Sequence, residues 1–248
     1  MDLKEQGAIG GDPMRHWYYV AKHRAIRSLI GRRHIDRVLD VGAGAGVFSR
    51  LLLADGAIGH ATCVDPNYAD DWVGQRRSDR IAFRKSVSEV DADLVLMIDV
   101  IEHVDDDVGL IADYARRARS GARFVISVPA FNFLWSGHDE FLEHRRRYTL
   151  EGLRSVVARA GLDVLDARYF FGMLFPAVAA LRMADRALKG DGPATESALK
   201  AAPRWLNGAL IAMHEVERAA LFPVNRFAGV TAFCLAEKRD MAQAGAAA

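Results

Sequence analysis

The chain has 248 residues, 51% hydrophobic and 26% charged, which suits one soluble α/β domain carrying an insertion. Its 33 lysines and arginines against 32 aspartates and glutamates leave a formal net charge of +1, which removes any global electrostatic case for a nucleic-acid binder. Cys63 and Cys234 form neither a C-x-x-C pair nor a zinc spacing, so buried reduced thiols and a cytoplasmic setting are expected, and no stretch approaches the roughly 20 apolar residues of a membrane span.

Residues 1–12 are polar and glycine-rich, lack the apolar core of a signal peptide and read as a disordered tail. Pro13 suits a first helical turn, and Met14 to Ile30 mixes Trp17, Tyr18, Tyr19 and Ile26 with Arg15, Lys22, Arg24 and Arg27, the pattern of an amphipathic helix with a basic face ending at Gly31. Ile35 to Val41 is a strand. It runs into Gly42-Ala43-Gly44-Ala45-Gly46 and then into Val47 to Ala54, a helix stopped by Gly56. Strand, tight glycine turn and helix together make a place where a ligand can lie against the main chain and the helix N–H groups. Ala61 to Val64 is a second strand. Asp65 follows it, about twenty residues past the glycines, where an acid accepts hydrogen bonds from the ribose hydroxyls of an adenosine. A dehydrogenase competes for the same glycines, but Val47 occupies the third glycine position of the dinucleotide fingerprint.

After a loop from Pro66 to Asp79 comes a short strand, Ile81 to Phe83. Leu94 to Ile98 is a buried-type strand ending in Asp99, with Glu102 and His103 just beyond. Asp40, Asp65 and Asp99 are thereby expected along one edge, outside the carboxyl ends of the strands. Asp105-Asp106-Asp107 opens a helix reaching about Arg119; three consecutive acids suit a positive helix end better than a metal. Arg123 to Pro129 is a strand, Thr149 caps a helix from Leu150 to Ala160, and Leu162 to Tyr169 and Gly229 to Lys238 are the last two strands. The loop Phe131 to Tyr148, at the ligand edge, holds His138, His144, Arg145, Arg146 and Arg147 with Phe131, Trp135 and Tyr148. Arg145 and Arg146 read as a solvated patch.

The segment between the last two strands is the substrate clue. Phe170 to Leu181 is apolar all round and reads as a buried helix, free of charge until Arg182, with Pro176 as a kink; Gly190 to Pro193 is a flexible turn. A second helix from about Pro203 to Leu221 places Leu206, Leu210, Met213, Val216 and Ala220 on one face, where Glu217 intrudes, with His214, Glu215 and Arg218 pointing elsewhere. Two such helices read as a lid that closes over a greasy substrate, touches a bilayer surface or forms a homodimer.

Val-Leu-Asp-Val-Gly-Ala-Gly-Ala-Gly, then Val-Asp-Pro-Asn, then Ile-Asp-Val-Ile-Glu-His-Val resembles the class I S-adenosylmethionine-dependent methyltransferases. The Ser-Val-Pro-Ala-Phe to His-Arg-Arg-Arg-Tyr-Thr stretch is similar to a bacterial branch near the ubiquinone-biosynthesis-type enzymes. The resemblance spans about residues 14 to 238. It implies a doubly wound, seven-stranded Rossmann-like sheet with an antiparallel last strand, the core being residues 13–170 and 228–240, with a helical insertion at 171–227 and a disordered tail at 241–248. It implies S-adenosyl-L-methionine as cofactor, contacted by Asp40, Gly42, Ala43, Gly44, Asp65, Pro66, Ser86, Val87, Ile98 and Asp99, with Ser86 and Val87 at the adenine. An aromatic-rich first helix would lie across the cleft, and Arg24 is a candidate for the methionine carboxylate. Trp17, Tyr18, Phe131, Trp135, Tyr148, Phe171 and Phe175 are the candidate substrate contacts.

A small apolar or lipid-like acceptor, methylated at oxygen, is the expected reaction; methylation at carbon or nitrogen, or a non-catalytic adenosylmethionine-binding protein at the membrane periphery, are the alternatives. His138, then His103 and His144, are the candidate general bases, since histidine titrates near neutrality. Asp99, Glu102 and His103 at i, i+3 and i+4 resemble the divalent-ion site of some ubiquinone-type O-methyltransferases, although Glu-His after this strand also occurs widely without metal, and no metal is the expectation. The Asn/Asp-Pro-Pro-aromatic motif of amino-methylating enzymes is missing after Ile98.

Overall fold

The computed structural model describes residues 11–73, 80–189 and 202–239. Eight strands form one sheet: β1 (Ile35–Val41), β2 (Ile58–Val64), β3 (Trp72–Val73), β4 (Ile81–Arg84), β5 (Leu94–Ile98), β6 (Arg123–Pro129), β7 (Leu162–Phe170) and β8 (Thr231–Lys238). Their order is β3-β4-β2-β1-β5-β6-β8-β7. Pairing is parallel from β4 to β6, and β8 runs antiparallel between β6 and β7. This is the expected seven-stranded sheet, with the two-residue β3 added antiparallel at the β4 edge inside the stretch read as loop. Trp72 stacks on Phe83 there, with ring centroids 3.8 Å apart.

Helices α1 (Trp17–Ile30), α2 (Val47–Ala54), α3 (Asp107–Arg117), α4 (Gly137–Phe141), α5 (Leu150–Arg159), α6 (Phe175–Lys189) and α7 (Arg204–Ala220) flank the sheet. Because strand side chains alternate between faces, β5 feeds two cores at once: Leu94, Leu96 and Ile98 join the core under α1 and α2, while Val95 and Met97 join the one under α3 and α5. Asp106 and Thr149 cap α3 and α5 through Gly109 and Gly152. Cys63 and Cys234 are buried free thiols.

The chain starts at β1, builds outward to β4, then returns to β5 beside β1. That reversal opens a crevice at the carboxyl ends of β1 and β5. Gly42, at the end of β1, has φ +65°, and a Cβ there would come within 2.7 Å of Val100 Cγ2 in the loop after β5, so the two loops meet directly.

The insertion differs from expectation in two respects. Phe170 ends β7 and residues 171–174 are non-helical, so α6 begins only at Phe175 and Pro176 lies in its first turn, where no kink arises. The buried residues of α7 are His214 and Glu217, whereas Val216 is 61% exposed. His214 Nδ1 and Glu217 Oε2 are 2.8 Å apart, and Glu217 Oε1 accepts from Gly172 N at 2.6 Å, so the two side chains are paired inside, while Leu206, Leu210 and Met213 are only partly buried. Asn207 ties α7 to the start of α1, accepting from Trp17 N at 2.8 Å and donating to Arg15 O at 3.0 Å. The turn expected at Gly190 to Pro193, the tail 241–248 and residues 1–10 lie outside the described residues. Among the described residues no helix is long and apolar enough to cross a membrane.

Candidate active site

The glycine turn and Asp65 are locked together. Gly42 N donates to Val64 O at 2.7 Å and Ala43 N to the same carbonyl at 3.2 Å. Gly44, at φ +50°, donates to Asp65 Oδ2 at 3.1 Å, and Asn67 N donates to Asp65 Oδ1 at 2.9 Å. Each carboxylate oxygen accepts two hydrogen bonds, so Asp65 keeps acceptor capacity on both after these contacts. The Tyr68 hydroxyl donates to Gly44 O, which brings that ring to the turn. Asp40 is buried beneath it, takes a 2.7 Å hydrogen bond from Ser49 Oγ, and burial pushes its carboxyl up to about 6. Pro66 and Ser86 are exposed, and the Val87 carbonyl is held by Arg117.

Asp99 follows buried Ile98 at φ +55° and anchors a polar knot. Its Oδ1 accepts from Ser127 Oγ at 3.2 Å, its Oδ2 from Tyr18 Oη at 3.2 Å and from Lys22 Nζ, which also donates to Tyr18 Oη at 3.0 Å. Lys22 is fully buried. Burial opposes ionisation of Asp99, but the Lys22 ammonium outweighs it and holds the carboxyl below its ordinary range. Lys22, read as part of a basic face, is thus the internal counter-ion of Asp99. Arg24, by contrast, pairs with Glu215 of α7 at 3.1 Å.

From this knot a cavity of about 210 Å³ runs under α1 and α6. Trp17, Tyr18, Tyr19, Phe48, Phe171, Leu174 and Val178 give it apolar walls; Asp99, Glu102, His103, His138, His144, Arg147, Arg182 and Thr231 supply its polar atoms. All three candidate histidines meet here. The His103 and His144 rings meet edge to face, 4.8 Å between centroids. His144 Nδ1 and Asp139 Oδ1 are 2.9 Å apart. Asp139 is fully buried and also binds Arg147, whose Nε lies 2.7 Å from Oδ1 and Nη2 3.0 Å from Oδ2, while Ser136 N donates to it at 2.9 Å. Burial works against its ionisation, yet the His144 and Arg147 hydrogen bonds hold its carboxyl well below the usual range. An ionised carboxylate only accepts, so Nδ1 carries the proton and Nε2 is left as the basic nitrogen of His144. Burial pushes His138 down to about 4.

Glu102 is fully buried and neither carboxyl oxygen has a hydrogen-bond partner; burial, then the Asp99 charge, raises it well above its ordinary value. The acid-imidazole trio that the structure gathers is Glu102, His103 and His144, with one donor atom of each within 4.8 Å of the others. Asp99 is not in it, because Lys22 holds its carboxylate and Ile101–His103 is a 3-10 turn, not the continuous α-turn that the i, i+3, i+4 spacing requires.

Of the candidate substrate contacts, Trp17, Tyr18 and Phe171 line the cavity, and Phe131, Trp135, Tyr148 and Phe175 do not. Phe131 stacks on Tyr169 (4.8 Å) and touches Phe175 (5.5 Å), an aromatic cluster that seats the start of α6. The buried Tyr148 hydroxyl donates to Asp107 Oδ2 at 2.7 Å. Arg145 is exposed and Arg146 partly so, as a solvated patch would be, and both also hold structure: Arg145 binds His103 O (2.9 Å) and Asp105 (2.8 Å), and Arg146 binds Asp105 O (2.9 Å), so both clamp the turn that carries Glu102 and His103. Lys22, Asp139, Arg147, Arg182, Leu174 and Val178 are site residues that sequence reasoning did not single out.

A sequence family described as a methyltransferase domain matches residues 14–167, more than half of the chain. The chain belongs to this methyltransferase family. Solved structures agree on the fold. An S-adenosylmethionine-dependent methyltransferase from Archaeoglobus fulgidus superposes with a TM-score of 0.50 at 18% identity, covering 90% of this chain and 94% of that one. Phosphoethanolamine N-methyltransferase 2 of Haemonchus contortus, solved with S-adenosyl-L-methionine, gives 0.53 at 13% identity over 88% of this chain and 52% of that one. The [4+2]-cyclase SpnF gives 0.55 at 15% identity over 94% and 86%. A search of curated protein sequences finds no significant match.

Proposed function

We propose that this methyltransferase moves the methyl group of S-adenosyl-L-methionine to an oxygen of a small, mainly apolar or lipid-like acceptor held in the cavity beneath α1 and α6. The observation that carries this reading is the juxtaposition of an apolar-walled cavity with the Asp139–His144 pair and the Asp99 end of β5. The glycine turn suits the cofactor: positive φ at Gly42 and Gly44 leaves main chain bare, and Asp65 retains acceptor capacity for ribose hydroxyls. Bound adenosylmethionine supplies an already activated methyl group, so the protein's work is orientation, exclusion of water and removal of one proton.

The side chains divide that work. Trp17, Tyr18, Phe171, Leu174 and Val178 exclude water from the acceptor. Asp139 fixes the tautomer and orientation of His144, and His144 Nε2 takes the proton of the acceptor hydroxyl as the methyl group arrives. His144 replaces His138 as the first candidate base, because burial leaves His138 at about 4 and so a weaker base. Lys22 neutralises Asp99 at the cofactor edge. C- or N-methylation of a similar acceptor uses the same cavity with less need of the base.

A second reading concerns Glu102, His103 and His144. A carboxyl and two imidazoles are a suitable donor set for a divalent ion, and the Asp139 partner of His144 matches the usual outer support of a metal-bound histidine. The oxygens of the buried Glu102 carboxyl have no hydrogen-bond partner among the described residues, which leaves them open to such an ion; the metal-free account stays first because Asp99, the remaining acid of the expected set, is held by Lys22. The peripheral-membrane and homodimer readings of the insertion draw support from exposed Leu181, Met183 and Trp205 on α6 and α7.

The test is methyl-labelled S-adenosylmethionine incubated with the purified protein and a host extract, followed by partition between organic solvent and water. Label in the organic phase is the expected result; label confined to water contradicts the apolar-acceptor reading.

A further inference from the structure

Among the aspartate, lysine and arginine charges at the cavity, one has no hydrogen-bond or ion-pair partner among the described residues. Asp99 is neutralised by Lys22, and Arg147 is spent on Asp139, with a further hydrogen bond from Nη1 to Ala130 O at 3.0 Å. Burial and then the Asp99 charge raise the Glu102 carboxyl well above its ordinary value, and burial holds His138 at about 4. Arg182 alone remains. It lines the cavity, is only partly exposed, and makes no hydrogen bond or ion pair with a described residue. Asp185, one turn along α6, and Asp139 are the acids whose charge reaches it; Arg147 repels it, and burial together with that repulsion lowers its own affinity for its proton.

Arg182 also has a fixed place relative to the apolar wall. Leu174, Val178 and Arg182 are spaced four apart, Val178 N donates to Leu174 O at 3.0 Å, and all three line the cavity. One stripe therefore presents two aliphatic side chains and then a guanidinium. A planar, always charged fork in a half-closed apolar cavity is suited to a carboxylate or phosphate, which it binds through two parallel N–H groups.

From this stripe we infer that the acceptor is an amphipathic anion, its apolar body lying along Leu174 and Val178 and its acidic head, a carboxylate or a phosphate, paired with Arg182. The inference rests on the reading of this cavity as the acceptor site. It makes Arg182 a specificity determinant: neutral or cationic analogues of the same shape leave the guanidinium buried and unpaired.

The experiment is isothermal calorimetry on the full chain saturated with S-adenosylhomocysteine, using octanoate, octyl phosphate and 1-octanol as probes. The acids are expected to bind about tenfold or more tightly than the alcohol, the worth of one charge-assisted contact. Stronger binding of octyl phosphate identifies a phosphate head, stronger binding of octanoate a carboxylate. Arg182→Met is expected to erase the preference while leaving octanol affinity and the melting temperature within error, and Arg182→Lys is expected to keep part of it. Equal affinity for acid and alcohol overturns the inference, as does an acid preference that survives Arg182→Met. Weakened S-adenosylhomocysteine binding in Arg182→Met also overturns it, because the guanidinium would then serve the cofactor. No turnover is needed, so a failure to find methyl transfer is distinguishable from a failure of the anionic-head assignment.

Discussion

Lys22→Met tests the electrostatic frame of the site. The substitution keeps the length and the apolar stem of the side chain but removes the ammonium that faces Asp99, lies over the Tyr18 and Phe233 rings and donates to Tyr18 Oη. Leaving a buried ion without its counter-ion costs about 3–5 kcal/mol. Asp99 retains the Ser127 and Tyr18 hydroxyls and a side chain 25% open to solvent, which discounts that cost to about 2–3 kcal/mol. For a chain of this size that is a fall in Tm of about 4–12 °C. The pH dependence is specific. Asp99 is held below its ordinary value of 3.8, so its contribution is present above that pH and is lost as pH falls through the folded value. The deficit of Lys22→Met relative to the parent is therefore largest near pH 7 and shrinks below about pH 3.8. Urea melts at pH 7, 5 and 3.5 measure it, and Asp99→Asn in the Lys22→Met background recovers about 1–2 kcal/mol of the loss. A variant as stable as the parent at pH 7, or a deficit that is unchanged at pH 3.5 and insensitive to Asp99→Asn, refutes the reasoning.

Three further outcomes are expected. Glu102→Gln replaces a carboxyl that is raised above its ordinary 4.5, and a raised carboxyl destabilises the fold progressively as pH climbs; the variant therefore gains on the parent by up to about 1.4 kcal/mol per pH unit above 4.5, read from urea melts at pH 5 and 8, and parallel pH slopes would contradict this. Asp65→Ala raises the Kd for S-adenosylmethionine by about tenfold, and Gly42→Ala, with φ +65° and Val100 Cγ2 within 2.7 Å of the new methyl, lowers stability by about 1–3 kcal/mol as well as binding; calorimetry showing parental affinity in both would remove the cofactor from this turn. Exhaustive chelation leaves turnover unchanged; loss of activity that magnesium or zinc restores would instead assign an ion to Glu102, His103 and His144.

The sheet was legible because each strand is a short apolar run bounded by turn residues, and the glycine turn because its backbone conformation has few alternatives. Helix α7 was read in part: Leu206, Leu210 and Met213 are partly buried and Glu217 lies among them, but Val216 and Ala220 are exposed, and His214 is buried because it pairs with Glu217, which also binds Gly172 N. Lys22 looked like any solvated lysine because its partner lies 77 residues away and only the fold brings them together. In the loop after β6 the sequence offered His138 and His144 together with Phe131, Trp135 and Tyr148; Phe131 and Tyr148 hold structure, while the pairing of Asp139 with His144 and Arg147 depends on burial that only the fold provides. Arg182 followed a run read only for its apolarity.

The central claim is that methyl transfer occurs in this cavity with His144 as the base. It is tested most directly by single-turnover transfer from methyl-labelled S-adenosylmethionine to the extract-derived acceptor, comparing the parent with His144→Gln after calorimetry has matched their cofactor affinity. The account predicts transfer by the parent and a rate about 100-fold or more lower in His144→Gln, with cofactor binding intact. Transfer at the parental rate by His144→Gln would contradict it.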